Sequence, residues 1–253
     1  MALPVAEEKR KVQPIAEGHE TSGARGASEA EDAQISFSSE IFRKAIHLGS
    51  LSIPVLYFYA SRNVVLAALI PLTLFSIGID LGRHNIPFIR RIVSKVFDRI
   101  LRPHERHSGF LSGASYVLIS ALLCVVVFPK LITITAFSIL IVSDASSALV
   151  GRAFGKHKFL DKSLEGTLAF IVSAWVVILL TPKAGPIPVE YFIAGFAAVV
   201  GGIAEAWSVT LHLDDNFSIP VSVGLVSWGL YWVLMLLDPA QYGGLYERMI
   251  QYS

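Results

Sequence analysis

Asp144 stands inside the apolar run 131–150, in "SDASSALVGRAFGKHKFLDKSLEGT". A carboxylate placed in a span costs about 2.5–3.5 kcal/mol at the centre and less toward the end, and is functional by default. Ala148, Gly151 and Gly155 follow it at four, seven and eleven residues and leave one helix stripe without bulk. Such a stripe suits close helix packing, or the approach of a phosphate chain and its metal to the backbone. Downstream, Asp161 or Ser163 can cap the next apolar run, whose free N–H groups favour anions. Lys162 adds a point charge there, Glu165 a second carboxylate, and Lys156 and Ser147 are further nucleotide-contacting candidates. "GRAFGK" is not a phosphate loop, because three residues rather than four separate its glycines and no Ser or Thr follows the Lys.

Other polar residues are equally out of place. Arg43, Lys44 and His47 share one side of a helix, which suits either a polyphosphate or lipid headgroups. In "HLDDNFSIP", Asp214, Asp215 and Asn216 are hard oxygen donors that suit Mg²⁺, or the makings of an Asx turn. Glu205 in "GGIAEAWS" is a further intramembrane carboxylate, and "RPHERHSG" contributes Arg102 and Glu105. Cations for phosphate and separated carboxylates for a divalent metal match phosphoryl transfer, which needs positioning and charge neutralisation more than covalent help.

The elements that must position these residues are membrane helices. The chain is 53% hydrophobic and 16% charged, against about 25% charged in ordinary soluble domains. Runs near 43–60, 64–81, 111–128, 131–150, 164–181, 189–208 and 219–237 are long enough to cross a bilayer. This predicts an all-α polytopic protein of about seven transmembrane helices. With the N-terminus inside, thirteen Lys and Arg fall in or beside inner loops and four outside, which orients the chain N-in. All the clusters above then lie at cytoplasmic span ends, so the expected site is on the cytoplasmic face. Residues 84–102 alternate basic and apolar faces and are read as an interfacial helix. Residues 1–35 are read as a disordered polar tail without a signal-peptide core, 36–238 as the membrane-embedded domain and 239–253 as a short C-terminal tail. Cys124, the single cysteine, is read as a packing residue.

The order of "RKAIH", "RPHE", "SDASSALVGRAFGKHKF", "KSLEGT" and "DDNFSIP" resembles the CTP-dependent lipid kinase family that includes dolichol kinase, phytol kinase and the fungal-type diacylglycerol kinase. The resemblance runs from about residue 40 to 237. It implies transfer of the γ-phosphate of CTP to a membrane lipid alcohol, giving a lipid monophosphate and CDP, with a divalent cation. Arg43 and Lys44 match the family's basic pair, Asp144 its central acid and Gly151 the glycine after that acid. Lys162 to Gly166 match its KSLEG box, and Asp215 and Asn216 its DN pair. Ser143 departs from the Gly that often precedes the acid.

The expected mechanism places Mg²⁺ on Asp144, Asp215 and Asn216, with Arg43, Lys44 and Lys162 neutralising phosphate oxygens and His47 beside them. Asp144 or Glu165 accepts the alcohol proton. The expected partners are CTP, the lipid alcohol and membrane lipids, without nucleic acid. The rivals are a phosphatidate cytidylyltransferase, whose long C-terminal signature is not visible, and a membrane transporter, for which no inverted repeat is visible.

Overall fold

The computed structural model describes residues 44–89, 91, 111–185 and 187–251. The sequence-predicted tail at 1–35, Arg43, Arg102, Glu105 and most of the 84–102 segment lie outside them. A helical stretch at 44–49 leads through a turn into α1 (Ser52–Tyr59), then α2 (Arg62–Asn85), α3 (Gly113–Val127) and α4 (Lys130–Phe154). A hairpin of β1 (Lys158–Phe159) and β2 (Lys162–Ser163) precedes α5 (Leu164–Leu180), α6 (Val189–Ala206), α7 (Asp215–Leu237) and α8 (Pro239–Gln251).

The chain is all-α apart from that hairpin, and membrane-spanning in character. Among the described residues α2 (to Arg83), α4, α6 and α7 are long and apolar enough to cross a bilayer. The shorter apolar helices α3 and α5 have 15 and 17 residues, fewer than the roughly 20 that a straight crossing takes. The expected first span, 43–60, is two helical pieces around Ser50 instead. Gly49 weakens the helix at that point, and Pro54 cannot donate a helical bond on the far side of the break. The expected last span starts earlier than its apolar run, because Asp214 caps α7 and its carboxylate accepts from the backbone N–H of Asn216 at 3.0 Å. Asp215 and Asn216 are therefore helical first-turn residues, not loop residues.

Helix α4 is the axis of the bundle. Every residue from Leu131 to Ile141 is buried, as expected of a helix apolar all round. Phe170, Ala174 and Ile178 of α5, Ala197 and Ala198 of α6, Ile219 and Val223 of α7, and Val117 and Ala121 of α3 share its core. The outer helices turn large apolar side chains outward: Phe75, Leu180, Phe192 and Leu237 are all more than 60% exposed. Exposed apolar surface on this scale marks a membrane or partner face, and with the apolar spans it identifies a lipid-facing belt.

Cys124 is fully buried, as a packing residue would be. Segment 239–253, expected as a tail, contains α8, whose Leu245 and Met249 pack with Ala184, Ile193 and Tyr231. Glu190, at the start of α6, organises this end: its carboxylate accepts from the backbone N–H groups of Ala184 (2.8 Å) and Gly185 (2.7 Å) and from the Tyr231 hydroxyl (2.7 Å).

Contacts at the helix ends bring α2 to α7 together in turn: Asp80 of α2 bonds Ser112 before α3, Gly151 of α4 lies against Gly166 of α5, and Lys162 before α5 reaches Glu205 of α6 and Asp215 of α7. The C-terminal ends of α2, α4 and α6 and the N-terminal ends of α3, α5 and α7 therefore gather at the end opposite Glu190. Every described residue of the expected site belongs to that end.

Candidate active site at one end of the bundle

Two ion-pair clusters meet at this end. In the first, Lys44 donates to Asp144 Oδ2 across a hundred residues of sequence, and His47 Nε2 lies 3.7 Å from the same oxygen. Lys44 is 5% exposed and Asp144 2%, so neither charge is neutralised by water. Lys44 and His47, three residues apart, share one side of the 44–49 helix as their spacing predicts, and that side meets Asp144 of α4. In the second cluster, Lys162 donates to Glu205 Oε1 and lies 3.6 Å from Asp215 Oδ2. Ser147 Oγ, one turn beyond Asp144 on α4, donates to Glu205 Oε1 at 3.1 Å and links the two clusters. Burial pulls the Lys162 ammonium toward its neutral form. The carboxylates of Asp215, Glu205 and Asp144 outweigh that pull and hold its pKa above the ordinary value.

Residue roles divide differently from the sequence reading at several positions. Ser163, not Asp161, caps α5 and accepts from the N–H of Gly166 at 3.2 Å. Asp161 reaches instead to the turn after α6, accepting from the Thr210 N–H and hydroxyl, both at 2.8 Å, while its own N–H bonds to Ala206 O at 2.9 Å. This clamp, with Leu160 in the left-handed region (φ 51°), seats the hairpin so that Lys162 reaches α6. Asp214 is spent as a cap, and it also accepts from the Asn216 amide at 2.8 Å. Pro220 cannot return a helical bond to the Asn216 carbonyl, which loosens the first turn of α7 beside Asp215.

Two expected contributors stand apart. Glu165 accepts from the backbone N–H of His157 at 3.3 Å and pairs with its Nδ1 at 2.7 Å, across the open end of the hairpin. Lys156 is exposed. Gly151 serves helix packing rather than ligand access: a Cβ there would come 3.0 Å from Ser163 Oγ and 3.5 Å from Gly166 Cα. The bare stripe is closed by the start of α5, because three glycines (151, 155 and 166) let the two helices approach at backbone distance.

The sequence reading passed over Asp80. This buried residue of α2 accepts from the N–H and hydroxyl of Ser112 (2.7 and 2.8 Å) and the hydroxyl of Ser115 (2.6 Å), with Arg83 Nε 3.5 Å away. It ties α2 to the start of α3 at the same end of the bundle. The signal was available, since an Asp three residues before an Arg inside an apolar run is the pattern of a paired intramembrane acid.

The Asp161 clamp has a defined pH response. Hydrogen bonds from Thr210, first backbone and then hydroxyl, hold its pKa below the usual carboxylate value. A depressed pKa contributes stability above the unfolded value of about 3.9 and loses it as pH falls through the folded one. Protection of the Thr210 amide in hydrogen exchange should therefore be constant above pH ~5 and fall below ~4. Asp161→Asn should lose that acid-dependent step.

Among the described residues no group of three His, Cys, Asp or Glu side chains is arranged to hold a metal ion. The donor set nevertheless suits a hard divalent cation. Asp144 Oδ1 and Glu205 Oε2 are buried without a hydrogen-bond partner. Mg²⁺ is commonly held by one or two carboxylates together with substrate phosphates rather than by an all-protein cage.

Fold and site together define an integral membrane protein with buried ion pairs gathered at one end of an apolar bundle. The chain belongs to the same family as the uncharacterized protein RP860 of Rickettsia prowazekii, with which it shares 32% identity over 187 residues, 74% of this chain and 92% of that protein. It is also 26% identical over 207 residues to the CTP-dependent diacylglycerol kinase 1 of Saccharomyces cerevisiae, covering 72% of this chain and 70% of that one. A further match, 31% over 94 residues, is to the dolichol kinase sec59 of Schizosaccharomyces pombe, covering 36% of this chain and 17% of that kinase. These distant homologies support a place in the lipid kinase family. No family model matches the chain. No solved structure matches it.

Proposed function

We propose that this protein is a CTP-dependent lipid kinase that transfers the γ-phosphate of CTP to the hydroxyl of a membrane lipid alcohol. The observation that carries the reading is the convergence of Lys44, His47, Asp144, Ser147, Lys162, Glu205 and Asp215 at one end of a lipid-facing bundle. Two relatives bear kinase names, and one of those names specifies CTP. We place this end on the cytoplasmic side, from the Lys and Arg asymmetry of the loops, with seven crossings that count α3, α5 and the 44–59 segment.

Lys44 and Lys162, with Arg43 outside the described residues, neutralise the triphosphate oxygens. Asp215 and the Asn216 amide oxygen would hold a Mg²⁺ ion, which when bound supplies charge neutralisation to the β- and γ-phosphates. The lipid hydroxyl oxygen bonds to the γ-phosphorus, the bond to the β–γ bridging oxygen breaks, and CDP leaves. Glu165 is committed to His157, so the hydroxyl proton passes to Asp144 Oδ1, which accepts no hydrogen bond at rest. Asp144 Oδ2, held by Lys44 and His47, fixes that carboxylate's orientation.

The acceptor is a diacylglycerol or an isoprenoid alcohol such as phytol or a polyprenol. The test is a panel of these lipids with the purified full-length protein in nanodiscs, CTP and Mg²⁺. One class should yield lipid monophosphate and CDP in equal amounts. Absence of phosphorylated product from every lipid would overturn the reading.

A further inference from the structure

Glu205 is fully buried on α6, and its position is not explained by packing. Its neighbours on the buried face are Ala194, Gly195, Ala197, Ala198, Gly201 and Gly202, which fill space without polar atoms. Its Oε1 is shared by Lys162 and Ser147, while Oε2 is buried without a partner. An unsatisfied buried carboxylate oxygen carries a desolvation cost that an arriving cation would relieve. Asp215 Oδ2 stands 3.6 Å from the same ammonium. Lys162 thus pairs with two carboxylates from different helices. It is also the only one of these groups that is free to leave: it sits on the two-residue strand β2 rather than on a span, and its side chain is 27% exposed against 0% for Glu205.

We propose that Glu205 and Asp215 form a divalent-cation site which Lys162 fills in the resting state, and that Lys162 gives up the site when nucleotide phosphate draws its ammonium away. The second step rests on the proposed kinase reading; the first does not. The arrangement makes metal and nucleotide bind together. A metal arriving alone must displace a half-buried ammonium, and a triphosphate arriving alone draws that ammonium away from two buried carboxylates. Such mutual dependence is a coupling free energy between two ligands and is necessarily reciprocal.

The test uses the purified full-length protein in phosphatidylcholine nanodiscs, with binding of Mn²⁺ alone followed by electron paramagnetic resonance. Lys162→Gln should bind Mn²⁺ at least about tenfold more tightly than wild type, because a positive charge is removed a few ångströms from the ion. Lys162→Arg keeps the charge and should bind as weakly as wild type. Adding Glu205→Gln to Lys162→Gln should remove the gain, whereas adding Asp144→Asn should not. No gain in Lys162→Gln, or a gain that survives Glu205→Gln, overturns the site. If Lys162→Gln does not fold, wild type still decides the matter. CTP should increase bound Mn²⁺ beyond what CTP holds without protein, Glu205→Gln should abolish that increase, and an increase indifferent to Glu205 overturns the site. Mn²⁺-alone results as expected with no response to CTP would overturn the nucleotide as the trigger and leave the cation site established, while formation of CDP and lipid monophosphate decides the kinase reading separately.

Discussion

Asp144→Asn should lower phosphate transfer from CTP by about 10³-fold or more, since a positioned base contributes about 10²–10⁴-fold and Asp144 also orients the Lys44 ammonium. The same substitution removes a charge from a pair in which both partners are almost inaccessible. Breaking a buried pair costs about 3–5 kcal/mol, so loss of activity alone would be ambiguous. The discriminating measurement is therefore paired: CDP formation, and Mn²⁺ binding in the fraction that remains monodisperse. The expected variant is inactive yet retains its cation affinity, because Glu205 and Asp215 are intact. Lys44→Met combined with Asp144→Asn should restore much of the thermal stability and none of the activity, since no buried charge is then left alone. Activity within a few-fold of wild type in Asp144→Asn would remove Asp144 from the chemistry.

The second large effect belongs to the opposite end. Glu190→Ala leaves two backbone N–H groups and the Tyr231 hydroxyl without their shared acceptor. Bonds to a charged group contribute about 1.5–3 kcal/mol each and are not additive here, so a loss of about 3 kcal/mol is expected. The loop at 181–188 and α8 should loosen together, because Ala184 packs with Leu245 and Met249. Glu190 and Glu205 lie fifteen residues apart on one helix, about 22 Å along its axis. Turnover per folded molecule should therefore be unchanged while the thermal inactivation temperature falls. Reduced turnover at temperatures where the variant is fully folded would show that the two ends are coupled.

Much of the candidate site's make-up was legible because membrane chains make polar residues conspicuous. Asp144, Lys162 and Glu205 stand out against apolar runs, and the alternation of the chain puts them at one end whatever their partners. Pairing was not legible. Nothing in the spacing of Lys44 says that it meets Asp144, a hundred residues away, rather than a lipid headgroup. Glu205 was one carboxylate among several until Ser147 and Lys162 were seen on it. Composition also could not divide capping from chemistry in "LDKSLEGT" and "HLDDNFSIP". The backbone assigns Ser163 and Asp214 to caps, Asp161 to a clamp and Glu165 to His157, leaving Lys162 and Asp215 for the site. The first span broke where Gly49 and Ser50 interrupt an apolar run, a detail that hydropathy averages away. Gly151 could have faced a ligand or a helix, and only the approach of Gly166 shows that it faces a helix.

The central claim is that the terminal phosphate of CTP, not its cytidylyl group, passes to a lipid. Incubating the purified protein with lipid acceptor and CTP labelled either at the γ- or at the α-phosphate tests it most directly. Label from the γ-position should appear in the lipid and label from the α-position should remain in CDP. Label from the α-position in the lipid, with release of pyrophosphate, would show a cytidylyltransferase, and an unlabelled lipid from both would contradict the account altogether.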